Sequence, residues 1–176
     1  MGEKYNSVTL ARASIALALC ISSLILFRGT ISIISAFFIP AIIAGFSFNM
    51  KKLYFTFIYF GLTLVTLLFF TTQIVFVTSY IFLSVAIRMF LLDENLKVKV
   101  SLSNSIIYII LVIIILFLGM WLTEIFLQIP IHRMMLRVSG ENYFKYFGIL
   151  LIESIFIFFF NVLILNSLKF ISRLKS

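Results

Sequence analysis

The chain has 176 residues and a formal net charge of +8; 63% of its residues are hydrophobic and only 11% are charged. Soluble domains carry about 45–50% apolar and about 25% charged residues. A water-soluble fold of this length has too high a surface-to-volume ratio to hide so much apolar surface. The composition therefore excludes a soluble domain and indicates an integral membrane protein.

The first apolar stretch runs from Val8 to Met50 and is interrupted only at Arg28-Gly29-Thr30. As one helix it would be about 60 Å long, twice the hydrocarbon thickness of a bilayer. The stretch must therefore fold back, and we predict two helices with a turn at Arg28. Within the second helix, Pro40 removes the backbone donor for the Ala36 carbonyl, which predicts a kink.

The same length argument divides the rest of the chain into four more spans. From Leu53 to Leu92, only Thr71-Thr72-Gln73 is polar enough to lie at an interface. We therefore predict one all-α membrane domain over residues 1–176, with six transmembrane helices at about 9–27, 31–50, 53–70, 74–92, 104–129 and 147–168. The polar stretch from Ile131 to Tyr146 is long enough for a structure of its own.

The cations lie at the ends of the apolar runs, which disfavours nucleic-acid binding and favours contact with anionic lipid headgroups. With the N-terminus inside, ten Lys and Arg residues are cytoplasmic and four are external. Cytoplasmic loops carry the excess of positive charge. We therefore expect a bundle with both termini inside, in a cell membrane and most simply the bacterial cytoplasmic membrane.

The first helix carries two neighbouring stripes of small residues. One contains Ala11, Ser14, Ala18 and Ser22, and the other contains Ala13, Ala16, Cys20 and Ser23. Small residues let membrane helices approach closely. The stripes are explained either by packing within the chain or by docking of another membrane protein.

Polar side chains within the spans converge on the predicted outer half. Because polar groups at membrane depth usually face the bundle interior, we expect a ligand pocket lined by Gln73, Tyr80, Trp121, Glu124, Gln128, Tyr146 and Glu153. Arg28, His132 and Arg133 would lie at its rim. Our hypothesis is that Glu124 and Glu153 favour a cationic or hydrogen-bond-donating ligand.

Structural roles would explain several of these residues equally well. Glu124 or Glu153 would form an ion pair with Arg28 or Arg133. Trp121 and Tyr146 would anchor the bundle at the membrane interface. His132, next to Pro130 in a polar loop, is expected to be solvated.

Catalysis is not predicted. Intramembrane aspartyl proteases need paired aspartates, but Asp93 is the only aspartate and lies in a loop. One histidine and one cysteine, Cys20, supply no metal-ligand motif. No glycine-rich phosphate loop is present, so we expect no cofactor, and any ATPase activity would belong to partner subunits.

The chain resembles the substrate-binding S components of energy-coupling factor vitamin importers. The resemblance is carried by the chain length, the six spans, the small-residue helix from Ala11 to Ser23, and the stretch Phe38-Ile39-Pro40-Ala41-Ile42-Ile43-Ala44-Gly45-Phe46. The following turn, Asn49-Met50-Lys51-Lys52, lacks the glycines of that family.

The resemblance implies a subunit that captures a vitamin-like micronutrient at the outer face. It would dock through Ser14, Ala16 and Ala18 on a transmembrane coupling protein driven by ATPase subunits. The alternative is a membrane scaffold without a transported ligand, similar to rod-shape-determining proteins. A Pro-Asp pair in the second helix would favour the scaffold, and here Ala41 follows Pro40.

Overall fold

A computed structural model of the chain describes residues 2–27, 32–47, 52–93 and 97–173. Arg28 and the turn residues Asn49, Met50 and Lys51 lie outside these ranges. The described residues form the helices α1 (Gly2–Leu26), α2 (Ile39–Phe46), α3 (Lys52–Phe69), α4 (Ile74–Phe90), α5 (Leu102–Leu127), α6 (Ile131–Val138) and α7 (Tyr143–Arg173). Two 3-10 helices, Ser32–Phe37 and Thr71–Gln73, precede α2 and α4. The all-α prediction is confirmed.

The helix α2 lies at the centre of the bundle. It packs against α1, α4 and α7. Around it, neighbouring long helices pack on one another in the order α1, α3, α4, α5 and α7. Three of the five long helices therefore enclose α2, and the 3-10 helix before it contacts both α1 and α7. Ile39, Ala41, Ile43 and Ala44 are completely buried in this position.

Four helices are long and apolar enough to cross a membrane: Ser7–Leu26, Thr71–Phe90, Leu102–Leu127 and Tyr143–Leu168. Two shorter apolar segments, Ile34–Phe46 and Leu53–Phe69, correspond to the second and third predicted spans. Large apolar side chains point outward from these helices; Phe60, Phe126 and Phe159, for example, are each more than 60% exposed. Six crossings with both termini inside stay a prediction.

The interruption expected at Pro40 is present, but not as a bend within one continuous helix. The second predicted span consists of a 3-10 helix that ends at Phe37 and an α-helix that begins at Ile39. Pro40 lies in the first turn of α2, where its missing N–H costs no helical hydrogen bond. The proline therefore fixes the junction between two helix types.

The polar stretch after α5 contains the short helix α6. Gln128 ends α5 in a left-handed conformation with φ 56°. The chain then turns at Pro130 into α6, which packs on both α5 and α7. Ile131 and Met135 face the bundle, whereas Arg133 and Val138 are exposed. This strongly amphipathic helix therefore covers one end of the bundle.

Candidate functional site

At the end of α5, Glu124 is the centre of a polar rim cluster. Its carboxylate accepts hydrogen bonds from the Arg133 side chain through Nε and from the Arg133 backbone N–H at 3.3 Å. His132 Nδ1 lies 3.8 Å from the second carboxylate oxygen. The turn at Gln128 and Pro130 makes this possible, because it brings the start of α6 back over the last turn of α5. The ion pair between Glu124 and Arg133 is therefore present, as one of the structural alternatives predicted.

The imidazole of His132 belongs to a cluster of four rings. It stands edge to face with Phe117 at 5.7 Å and with Tyr146 at 5.6 Å between ring centroids. Phe147 completes the cluster at 5.8 Å from Phe117 and 5.4 Å from Tyr146. The His132 side chain is only 15% exposed. The expectation of a solvated His132 is wrong, because α6 carries it onto the aromatic surface between α5 and α7.

A second cluster lies inside the bundle and contains Tyr80, Tyr146 and Glu153. Both tyrosines are completely buried, and the Glu153 carboxylate lies within electrostatic range of both hydroxyls. Glu153 is close to the middle of the span Tyr143–Leu168. Its Oε2 atom and the Tyr146 hydroxyl are buried and have no hydrogen-bond partner within the described parts of the chain. All three residues are among those that the sequence predicted to line one pocket.

The other predicted pocket residues divide into an inner and an outer group. Gln73 is buried on the same face of α4 as Tyr80, and its Oε1 atom also has no partner among the described residues. Trp121 is 46% exposed and Gln128 is exposed as well. The structure therefore brings Gln73 into the interior and leaves Trp121 and Gln128 on the outer surface.

The far half of the bundle contains a separate polar contact. The Asn161 amide nitrogen donates to the Tyr108 hydroxyl at 3.3 Å and to the Ile157 carbonyl at 2.8 Å. Both side chains are buried, and the Asn161 amide oxygen has no partner in the described structure. Neither residue is among the pocket residues that the sequence predicted. The available signal was a tyrosine within an aliphatic stretch of the first half of α5.

The two small-residue stripes of α1 have different environments. Ala13, Ala16 and Cys20 are completely buried in the bundle. The other stripe, Ala11, Ser14, Ala18 and Ser22, is exposed. Of the three predicted docking residues, Ser14 and Ala18 are therefore accessible to a partner, whereas Ala16 packs inside the chain.

The arrangement provides a half-buried carboxylate and buried phenol groups. Within the described residues, no group of three His, Cys, Asp or Glu side chains could hold a metal ion. No family model, curated protein or solved structure matches the chain. The fold and its apolar surface define an all-α protein compatible with a membrane-embedded bundle.

Proposed function

We propose that the chain is a membrane-embedded subunit that binds a small molecule between α4 and α7. The observation that carries the proposal is the buried pair of unpartnered polar atoms, Tyr146 Oη and Glu153 Oε2, beside Tyr80. Small-molecule sites generally combine apolar walls with a few convergent polar groups. An ionisable residue in a membrane span usually marks such a site.

Several other buried hydroxyls of the bundle are satisfied within their own helices, whereas those of Ser35, Ser47 and Ser154 also have no partner among the described residues. Thr66, Ser79 and Thr123 each donate to a carbonyl four residues earlier in their own helix, at 2.7–2.9 Å. Such bonds satisfy short hydroxyl side chains locally. Tyr146 and Glu153 have no such bond, and an unsatisfied buried polar group costs about 1–3 kcal/mol. A ligand or bound water that supplies the missing partners would recover this energy.

The proposed route to the site passes the end of the bundle covered by α6. In the six-span arrangement with both termini in the cytoplasm, this end faces the exterior. The rim cluster of Glu124, His132 and Arg133 would then lie above Tyr146 at the external leaflet. Exposed side chains at this end, including Phe144 and Arg137, would contact lipid headgroups in a bacterial cytoplasmic membrane.

In this proposal the subunit belongs to an importer for a vitamin-like micronutrient. The imported molecule would be released through a transmembrane coupling protein with ATPase subunits, since the described residues suggest no energy source of their own. The exposed stripe with Ser14 and Ala18 supports docking by α1, because small side chains let two membrane helices approach closely. Ala16 is buried and would not take part.

The binding proposal is tested on the full chain purified in detergent. We expect a small molecule to co-purify, to be identified by mass spectrometry after denaturation, and to raise the melting temperature when added back. Stabilisation of about 2.7 kcal/mol is expected at a ligand concentration of 100 times the Kd. Tyr146→Phe should weaken binding about five- to tenfold, because it removes one hydrogen bond.

The matched control is Tyr143→Phe, in the first turn of the same helix, where the side chain is 57% exposed. It should leave ligand affinity unchanged. The proposal fails if no small molecule co-purifies and none from a micronutrient panel changes the melting temperature. Equal affinity in the two tyrosine variants would also contradict it.

The exposed stripe of α1 favours a second candidate, a scaffold that recruits other membrane proteins without binding a transported molecule. Ser14→Phe and Ala18→Phe would then abolish a stable complex with a partner that is not an ATPase or coupling protein. Leu19→Phe is the control, because Leu19 is 40% exposed and lies about a quarter of a turn away from the centre of the stripe. Partner identification by mass spectrometry after crosslinking in membranes distinguishes the two candidates.

A further inference from the structure

We propose that the ligand is an organic monocation with an apolar body and that Glu153 is its counter-ion. This inference rests on the proposed binding site and adds the chemical class of the molecule that occupies it. It starts from the charge balance of the interior. The Glu153 carboxylate lies close to the middle of its span, on the face of α7 that also carries the buried Tyr146.

The acidic groups of this bundle are not equivalent. Glu124 is paired with the Arg133 guanidinium and has the His132 imidazole 3.8 Å away, and these are the two contacts of a carboxylate with a basic side chain found in the described chain. Glu153 takes part in neither of them. The guanidinium of Arg88 lies over the Phe55 ring at 5.2 Å, in the last turn of α4. Within the described structure, Glu153 is therefore a half-buried carboxylate with a buried Oε2 atom and without an ion-pair partner.

The unpartnered polar atoms of Glu153 and Tyr146 can accept hydrogen bonds. The Oε2 atom of an ionised Glu153 can only accept them from a ligand, and the Tyr146 hydroxyl can accept one. A ligand group with several N–H donors matches this set. A carboxylate or phosphate does not, because it would place a second anion beside Glu153 and bring no donors.

The expected selectivity follows from Coulomb's law. Two unit charges about 4 Å apart at an effective dielectric constant near 20 change an equilibrium constant by about a thousandfold. The cost of removing a cation from water opposes this gain. We therefore expect a net preference of at least about tenfold for a cation over a neutral molecule of the same shape. An anion of that shape should show no measurable binding.

The test uses three molecules with the same phenylpropyl body: 3-phenylpropylammonium, 3-phenylpropan-1-ol and 3-phenylpropanoate. Dissociation constants are measured by calorimetry on the full chain in detergent micelles. The wild type should bind the ammonium compound at least about tenfold more tightly than the alcohol. In Glu153→Gln the preference should fall below about twofold, whereas Glu153→Asp should retain it because the charge remains.

Glu141→Gln is the matched control, because Glu141 is an exposed carboxylate in the turn between α6 and α7. It should keep the wild-type preference. The inference is overturned if the alcohol or the carboxylate binds as tightly as the ammonium compound, or if the preference survives in Glu153→Gln. Binding of none of the three by the wild type also overturns it. If the Gln variant does not fold, Glu153→Met takes its place, because it also removes the charge and is expected to be stable.

The failure of this inference differs from the failure of the proposed function. A neutral or anionic molecule that co-purifies and loses affinity in Tyr146→Phe would refute the cation but keep the binding subunit. Absence of any co-purifying molecule, together with no stabilisation by a micronutrient panel, would refute both.

Discussion

Replacing Glu153 by Met should stabilise the ligand-free protein. The substitution keeps the length of the side chain and removes a buried carboxylate oxygen that lacks a partner in the described structure. Removing one unsatisfied buried polar group is worth about 1–3 kcal/mol. For domains of about 150–250 residues, 1 kcal/mol corresponds to about 2–4 °C. We therefore expect the melting temperature to rise by about 2–12 °C.

The same substitution at Glu124 should have the opposite effect. Glu124→Met removes the acceptor of the Arg133 side chain and backbone N–H and leaves His132 without its carboxylate neighbour. The start of α6 would lose its attachment to α5, so the melting temperature should fall. Two Glu→Met variants in one bundle therefore test the distinction between a partnered and an unpartnered carboxylate.

Both variants are measured by differential scanning fluorimetry in the same detergent, after exhaustive washing to remove ligand. Size-exclusion profiles verify that each variant is folded and monodisperse. A Glu153→Met variant that melts below the wild type would refute the reasoning, since it would show that the carboxylate has a stabilising partner. A shift of equal sign and size in Glu124→Met would refute it as well.

Two further predictions concern helix packing. A Cβ atom at Gly119 would lie 3.1 Å from Ser79 Oγ, whereas at Gly148 it would meet no atom within 4 Å. Gly119→Leu should therefore destabilise the protein by about 1–3 kcal/mol, and Gly148→Leu should not. Equal melting temperatures of the two variants would contradict the close packing of α4 on α5. Tyr108→Phe should lower the free energy of unfolding by about 0.5–1.5 kcal/mol, because the hydrogen bond from Asn161 is lost. An unchanged denaturation midpoint in an SDS titration would show that this bond contributes nothing.

The sequence was most informative about the apolar segments. A transmembrane helix needs about 20 apolar residues, so length alone divided the chain into segments, and each predicted segment contains a helix or a pair of helices in the structure. Gln73 and Tyr80, which were predicted to face the bundle interior, are both buried. These properties depend on the local chain and on its solvent, which is why they could be predicted.

Contacts across turns were not predictable in the same way. The position of His132 depends on the reversal at Gln128, a left-handed residue that is not glycine and therefore gives no sequence signal. The helix α6 was also not predicted, because a stretch of eight residues with two arginines is typical of a polar loop. Its helical character depends on Ile131 and Met135, which share the face that packs on the bundle.

The orientation of α1 shows a further limit of sequence reasoning. Its two stripes contain equally small residues, so composition does not decide which one packs inside. In the structure Leu17 packs against Gly61 of α3, and this contact helps to set the rotation of α1 about its axis. Tertiary packing therefore selected the stripe that stays accessible.

The central position of α2 has a consequence for biogenesis. The described apolar segment Ile34–Phe46 is shorter than the four long candidate spans, and its contacts include Leu165 and Leu168 near the end of α7, opposite Gly45. These contacts form only after the last helix has left the ribosome. A nascent chain halted before α7 would retain an incompletely enclosed α2, and cellular quality control should degrade it faster than the full-length product.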